Sequence, residues 1–507
     1  MRITCGIDWA SEHHDVALVD QDGTLVAKRR INDDAQGYQQ LLDLLADAGD
    51  SPGVPIPVAI ETPRGLFVAC LRASGRPVHA INPLSASRHR ERQRVTRAKS
   101  DDADAVMLAN ILRTDAHEHP PLPADTEQAR AVTVLAWAQQ DAVWRRTNLV
   151  NELRSHLHQY YPAALEAFAG RDDGLHHVDA LGLLTAAPSP RAAARLTHAR
   201  SVTALRRGGR IRYLDHRARQ LQEVLRREHL HQPPLVEKAM AHQTRALVAQ
   251  LRVACEAARD LEHAAAAAFD AHPDAAIYRS LPGIGDLAGP RLLAEIGDDR
   301  TRFADARALK AYAGSSPVTI ASGKTHRVRH RNVKNRRLNA VGYSWAMAAL
   351  HTPGPRAHDD RRRATGDRHT AALRNTYNRL LGCLYHCLRA GVAYDDGEAF
   401  SGLISGAIAV PEAAPRPSSP LDLQRQVPVA AEDLVQSDRA AGRLDAEDDA
   451  LTRVDVDVDL GAACPVDPGP DRVTARRHRR RDLVTAPDLA DLLPVDVNDL
   501  GAHAVSP

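Results

Sequence analysis

GIDWASEHHDVALVD, residues 6–20, is the stretch on which the fold turns. Two apolar-rich runs of strand length meet there, RITCGIDW (2–9) and HDVALVD (14–20). A third, TLVAKRRI (24–31), follows Asp22-Gly23, a pair that favours a tight hairpin turn. The spacing predicts a three-stranded meander. Beyond it, GYQQLLDLLADAG (37–49) places Leu41, Leu42, Leu44 and Leu45 at helical spacing. PVAIE (57–61) reads as a buried strand, GLFVACLRASG (65–75) as a helix closed by Gly75, and RPVHAIN (76–82) as a further strand. A helix is expected at 101–114. The order β-β-β-α-β-α-β predicts a mixed sheet in an α/β domain, assigned to residues 1–120, of the RNase H-like kind.

The pattern then turns helical, and residues 121–272 are read as a helical, coiled-coil region. A segment at 126–160 carries Leu149, Leu153 and Leu157 on one stripe. A later one repeats Leu247, Leu251, Ala254, Ala258 and Leu261 at coiled-coil seam spacing, after an interruption at Pro233-Pro234. The seam suits either an internal helical bundle or a self-associating hairpin. Residues 273–396 form a third, mostly α region that opens with LPGIGDLAGPRLLAEIGD (281–298). Residues 397–507, rich in Pro and Asp, are expected to be a disordered tail.

Composition bounds the partners. Residues 401–507 hold 19 acidic and 11 basic side chains, so the first 400 are net basic within a chain of net charge +2. A basic body suits a polyanion. No apolar run approaches the ~20 residues that span a bilayer, so no membrane partner is expected. The cysteines at 5, 70, 255, 383, 387 and 464 lack zinc-ligand spacing and read as thiols of a reducing cytosol. Of 66 basic residues 60 are Arg, a skew expected of a GC-rich bacterial genome.

Four carboxylates stand out. Asp8 ends the first strand and Glu61 ends a later one, while Asp101 and Asp104 share a face at a helix start in KSDDADAVMLANILR. Strand ends of α/β sheets face ligand crevices. Four acids converging there would repel one another unless cations neutralised them. Mg²⁺, which takes hard oxygen ligands, would do so and would also polarise a phosphodiester.

Basic segments supply candidate phosphate contacts. RHRERQRVTRAK (88–99), read as a loop, offers Arg88, Arg90, Arg92, Arg94, Arg97 and Lys99. The LPGIG turn is similar to a helix-hairpin-helix, with Gly283 and Gly285 letting backbone N–H groups approach a phosphate. Between 324 and 338 stand Lys324, Arg327, Arg329, Arg331, Lys334, Arg336 and Arg337, with no acid. Ser322, in Ser322-Gly323-Lys324, heads this run. It is a candidate nucleophile for an in-line phosphate, with Ser315 and Ser316 as competitors.

These motifs together are identified with a known group. GIDWASEHHDVALVD, VAIETPRG (58–65), INP (81–83) and RAKSDDADAVMLANILR (97–113) resemble the N-terminal DEDD domain of the insertion-sequence one-ten family of transposases. LPGIGDLAGPRLLAEIGD, AGSSPVTIASGK (313–324) and the stretch from RNVKNRRLNAVGYSWA (331–346) to NRLLGCLYHCLR (378–389) resemble that family's C-terminal transposase domain. The resemblance implies a Holliday-junction-resolvase-like scaffold whose acidic tetrad is Asp8, Glu61, Asp101 and Asp104. It implies that Ser322 attacks DNA to form a phosphoserine link, with the acids of one subunit combining with the serine of another. It further implies a homo-oligomer, dimer or tetramer, and a guide (bridge) RNA that pairs with donor and target DNA.

The expectation is therefore a Mg²⁺-dependent transposase or recombinase of the bacterial cytoplasm, associated with the nucleoid. Two other readings use the same residues: a resolvase-like nuclease that employs water and leaves no covalent intermediate, and a non-catalytic or decayed nucleic-acid-binding protein.

Overall fold

The computed structural model describes residues 2–93, 101–169, 174–322, 325–329 and 331–400. The meander forms as expected. β1 (Thr4–Trp9), β2 (His13–Val19) and β3 (Leu25–Asn32) are antiparallel, and the turn after β2 is tied by Asp20 Oδ1, which accepts from the backbone N–H of Asp22 and Thr24 at 2.9 and 2.8 Å. Gly23 takes φ +87°, the left-handed conformation such a turn requires. α1 (Ala35–Asp47) is capped by Asp34, whose carboxylate accepts from Gly37 N. β4 (Val58–Ile60), α2 (Leu66–Ala73) and β5 (Val78–Ala80) complete a five-stranded sheet of order β3-β2-β1-β4-β5, with β4 and β5 parallel to β1.

Central β1 is covered on both faces. Cys5, Ile7, Val16, Leu18, Val58 and Ile60 pack with Leu41, Leu45 and Phe67 on one side. On the other lies α4 (Asp101–Asp115), with Leu108, Ile111 and Leu112 in a core shared with Ala59 and Ile81. Contact there is close: a Cβ added to Gly6 would lie 2.0 Å from the Ala105 carbonyl oxygen and 2.4 Å from Ala109 N. Only glycine lets the helix backbone sit this low on the strand. Burial pushes the Cys5 thiol up to about 12, as expected of an inert packing residue.

One segment read as a loop is a helix. α3 (Pro83–Gln93) spans the first half of RHRERQRVTRAK; Pro83 opens it, and Asn82 Oδ1 accepts from Leu84 N. Its arginines conceal the period, and buried Ala86 and His89 mark its inner face.

The helical middle is built on two long helices, α5 (Glu127–His158) and α11 (Pro234–Asp270), of 32 and 37 residues, about 48 and 55 Å long at helical rise. They pack along each other, with α6 (Pro162–Ala167) against α5 and α7 (Val178–Ala186) against α11, while α8 (Pro190–Ala194), α9 (His198–Gly208) and α10 (Leu214–Leu225) pack among these shorter helices. Leu153 and Leu157 share a core with Leu247 and Leu251, so these seam residues serve an internal bundle. Polar ties cross it: His156 Nε2 lies 3.0 Å from Met240 O and 3.1 Å from Thr244 Oγ1.

The remainder is α12 (Ala275–Ser280), α13 (Ala288–Ile296), α14 (Ala306–Tyr312), the hairpin β6 (Val318–Ser322) and β7 (Thr325–Arg329), α15 (Arg336–Ala349), α16 (Pro353–Ala364), α17 (His369–Ala390) and α18 (Asp396–Ala399). Fully buried Trp345 and Tyr377 centre its core; Trp345 Nε1 donates to Pro282 O at 2.9 Å and Tyr377 Oη to Leu338 O at 3.0 Å. Phe400 is fully buried against His358, and residues 401–507 of the expected tail lie outside the described residues. Among the described residues no helix is long and apolar enough to cross a membrane.

Candidate active site

Parallel pairing brings two of the four acids together. Cys5, Gly6 and Ile7 of β1 stand opposite Val58, Ala59 and Ile60 of β4, so Asp8 and Glu61 emerge side by side at the same sheet edge, both half-buried. The helix carrying the other two runs antiparallel to β1. Thr4 Oγ1 donates to Ala109 O at 3.1 Å, Ala105 lies over Gly6, and the next turn back opens at Asp101, toward the Asp8 end of the strand. Two strand residues and one helical turn advance by similar lengths, about 6 Å, which keeps this register. The side chain of Asp101 lies outside the described residues. Asp104 is buried and paired: its carboxylate accepts from Arg90 of α3 at 2.9 Å.

A fifth acid was missed in the sequence. Asp15 of β2 is in register with Asp8 and therefore shares its face of the sheet. It is 3 % exposed and is gripped by Arg30, Nε and Nη2 donating at 3.0 and 2.8 Å. That hydrogen-bonded guanidinium holds the Asp15 carboxyl below the usual carboxylate range. The available signal was period-two alternation, which puts Asp15 opposite a strand-end acid.

The donor set fits a hard divalent cation in its chemistry: carboxylate oxygens at two adjacent strand ends, with a helix carrying further acids beginning above them. Asp104 already takes a cationic partner in Arg90, so the fold keeps positive charge at this position. Among the described residues no three ligating side chains form a complete metal shell.

The basic residues divide. Arg88 is exposed on α3, while Arg90 departs from the expected free phosphate contact because Asp104 occupies it. For Arg92 only the backbone is described; Arg94, Arg97, Lys99 and Lys324 lie outside the described residues. Arg327 and Arg329 are exposed on β7, Arg336 is exposed at the start of α15, and Arg331 is half-buried. Arg337 also departs from expectation. It turns inward, donating to Asp141 at 2.6 Å and Gln140 at 3.0 Å and stacking over Trp144 at 4.8 Å. The Lys334 stem packs against Gly314. Gly283 has φ +79°, and an added Cβ would lie 2.7 Å from Ala349 N, so α15 packing accounts for it; an added Cβ on Gly285 would meet only open space.

Ser322 stands at a hairpin tip and not in a loop. It ends β6 and pairs with Thr325 across two residues. The strand is exposed from Thr319 to Ser322. Its rivals differ: Ser315 is buried, donates to Lys310 O at 3.3 Å and accepts from Asn378 Nδ2 at 3.1 Å, which also donates to Ser316 Oγ. Their hydroxyls hold the chain entering β6.

A link between the two regions was also missed. Arg64, three residues past Glu61, stacks over Trp137 of α5 at 4.4 Å. Trp137 Nε1 donates to Glu295 Oε1 at 2.5 Å, and Glu295 Oε2 accepts from Asn335, the N-cap of α15.

Comparison with known proteins places this geometry. A family model for DEDD transposases of the IS110 group, described as Transposase, matches residues 5–162, and its RNase H-like fold agrees with the mixed N-terminal sheet. A second, described as Transposase IS116/IS110/IS902 family, matches residues 275–361. Over 408 residues, 80 % of this chain and 99 % of the relative, the sequence is 55 % identical to the mini-circle protein of Streptomyces coelicolor named as a transposase for IS117. It is 30 % identical over 397 residues to the 44.8 kDa protein of insertion element IS116 from Streptomyces clavuligerus, covering 76 % and 95 % of the two chains. It is 27 % identical over 404 residues to the 42 kDa protein of insertion element IS900 from Mycobacterium paratuberculosis, covering 77 % and 97 %.

Proposed function

The chain belongs to the IS116/IS110/IS902 family of transposases, and from that premise we propose that it cuts and rejoins DNA at the ends of an insertion sequence, with Ser322 as nucleophile beside the Asp8, Glu61, Asp101 and Asp104 carboxylates. The observation that supports this reading is the low seat of α4 on Gly6, with the helix running back from Ala105 to its start at Asp101 on the side of the sheet where Asp8 ends its strand. Those four residues would hold Mg²⁺, which when bound supplies charge neutralisation to the phosphate.

In the step proposed, Ser322 Oγ loses its proton to a carboxylate or solvent base and bonds to phosphorus. The scissile P–O bond breaks, and its oxygen leaves as the hydroxyl of the departing strand. A strand hydroxyl later attacks the phosphoserine and releases Ser322, so the phosphodiester is restored without ATP. Exposed Arg327 and Arg329 on the paired strand favour a phosphate backbone beside the serine.

Exposure of the hairpin also favours action in trans. A lone two-stranded hairpin is marginal in water, so a substrate or partner surface is the natural support for β6 and β7. This reading includes a homo-oligomer and a guide RNA as partners.

The test is a denaturing gel with labelled element-end DNA, Mg²⁺ and purified protein. A covalent adduct is expected for the unaltered chain and none for Ser322→Ala, while Asp8→Asn and Asp101→Asn give no cleavage. Adducts that persist in Ser322→Ala overturn the serine assignment. Cleavage with free ends and no adduct supports the water-using nuclease instead.

A further inference from the structure

A cavity of about 620 Å³ lies among α14, α16, α17 and the segment leading into α18, and none of Asp8, Glu61 and Asp104 lines it. Its volume is within the ~300–1,000 Å³ of small-molecule sites. Lys310, Arg361, Arg362 and Arg379 line it, against the two carboxylates Asp395 and Glu398.

Some of these cations are occupied. Arg362 pairs with Asp367 at 2.6 Å, and Arg379 donates to Ala399 O while stacking on Phe400 at 4.8 Å. Others are not. Among the described residues neither the Lys310 ammonium nor the Arg361 guanidinium has a hydrogen bond or ion pair. His358, 8 % exposed and also lining the cavity, has a buried Nδ1 without a partner. Such a buried polar atom is costly unless something supplies its partner.

Gly382 adds an independent observation. It interrupts the middle of α17, where glycine costs about 1 kcal/mol relative to alanine. A Cβ added there would lie 2.9 Å from Lys310 Nζ. The missing side chain makes room for the ammonium at the cavity wall. Burial, and then Arg379, lower the Lys310 pKa; burial and the surrounding arginines bring His358 down to about 4. In both groups burial is the main cause and neighbouring arginines add to it, and an anion beside them would offset that cost of carrying charge.

We propose that this cavity binds a nucleoside monophosphate unit, its phosphate taken by Lys310 and Arg361 and its nucleoside lying toward Tyr394 and Val392. Position gives the site meaning. Asn378 lines the same cavity and holds Ser315 and Ser316, the residues that lead into β6. The phosphate has two sources, a free nucleotide or the phosphorylated end of a strand. The proposal is independent of the role given to Ser322.

Isothermal titration of the full chain with deoxyadenosine 5′-monophosphate, deoxyadenosine and inorganic phosphate tests it. The nucleotide is expected to bind and the nucleoside to fail. Lys310→Met should weaken the nucleotide about tenfold, the loss of a charge-assisted hydrogen bond. Gly382→Ala, which keeps every charge but crowds the ammonium, should weaken it several-fold while the melting temperature holds or rises, alanine being favoured over glycine within a helix, and decides the matter if Lys310→Met fails to fold. Competition by short single-stranded DNA with and without a 5′-phosphate separates the sources: displacement by the phosphorylated strand alone identifies a strand end, and displacement by neither a free nucleotide. Equal binding of nucleoside and nucleotide, or unchanged affinity in Gly382→Ala, overturns the proposal. Covalent adduct formation by the same preparations reports separately on Ser322.

Discussion

The two proposed halves of the active site are built in opposite ways. Asp8 and Glu61 issue from the centre of a sheet covered on both faces, under a helix that touches the strand backbone. Ser322 sits at the tip of a two-stranded hairpin whose outer residues are exposed. One half is fixed by its own core; the other is held out from it. A rigid acid platform and a presented nucleophile suit a reaction in which the serine must meet DNA on a surface its own strands do not form.

The sharpest break of this contrast is Ser322→Ala. Adduct formation should fall by at least about three orders of magnitude, as when a nucleophile is lost. An exposed strand-end change should leave the thermal midpoint nearly unmoved. A large drop in that midpoint would show the hairpin to be integral to the core. Next comes Gly6→Ala. The methyl group would collide with the Ala105 carbonyl, and since backbone cannot yield as a side chain does, α4 must lift. Chemical denaturation should register a loss of about 3 kcal/mol, accompanied by loss of cleavage. Stability equal to the unaltered chain would refute the close seating.

Smaller effects sharpen the picture. Arg30→Gln should cost about 1 kcal/mol or less near neutral pH, since that arginine is half exposed. The sign follows from Asp15, whose carboxyl is held below its unfolded value. The pair's contribution is full above about pH 4, the unfolded carboxylate range, and is lost as pH falls through the lower folded value. The two proteins should therefore converge in stability in strong acid, and a gap that widens there would contradict the pairing. Least of all, Ile320→Ala on exposed β6 should change stability by under about 0.5 kcal/mol.

The meander was legible because its apolar-rich runs flank a turn that demands glycine, and the long helices because their leucines repeat. α3 was not. RHRERQR offers no apolar stripe, and its helix depends on the Asn82 cap and on burying Ala86 and His89, which are tertiary facts. The hairpin escaped notice for a related reason: with both strands largely exposed, TIAS carries no buried-face pattern. Asp8, Glu61 and the α4 acids were marked by their places at element ends. The engagement of Arg90 with Asp104 and of Arg337 with Asp141 was hidden, since sequence shows a charge but not the partner that claims it.

Trp137 has a consequence of its own. One indole is clasped by Arg64 from beside the sheet and by Arg337 from the first turn of α15, with its N–H fixed on Glu295. The sheet cannot swing relative to the C-terminal helices without unstacking a cation from that ring. Tryptophan emission, in a chain whose other three indoles are Trp9, Trp144 and Trp345, thus becomes an optical gauge of whether those contacts hold.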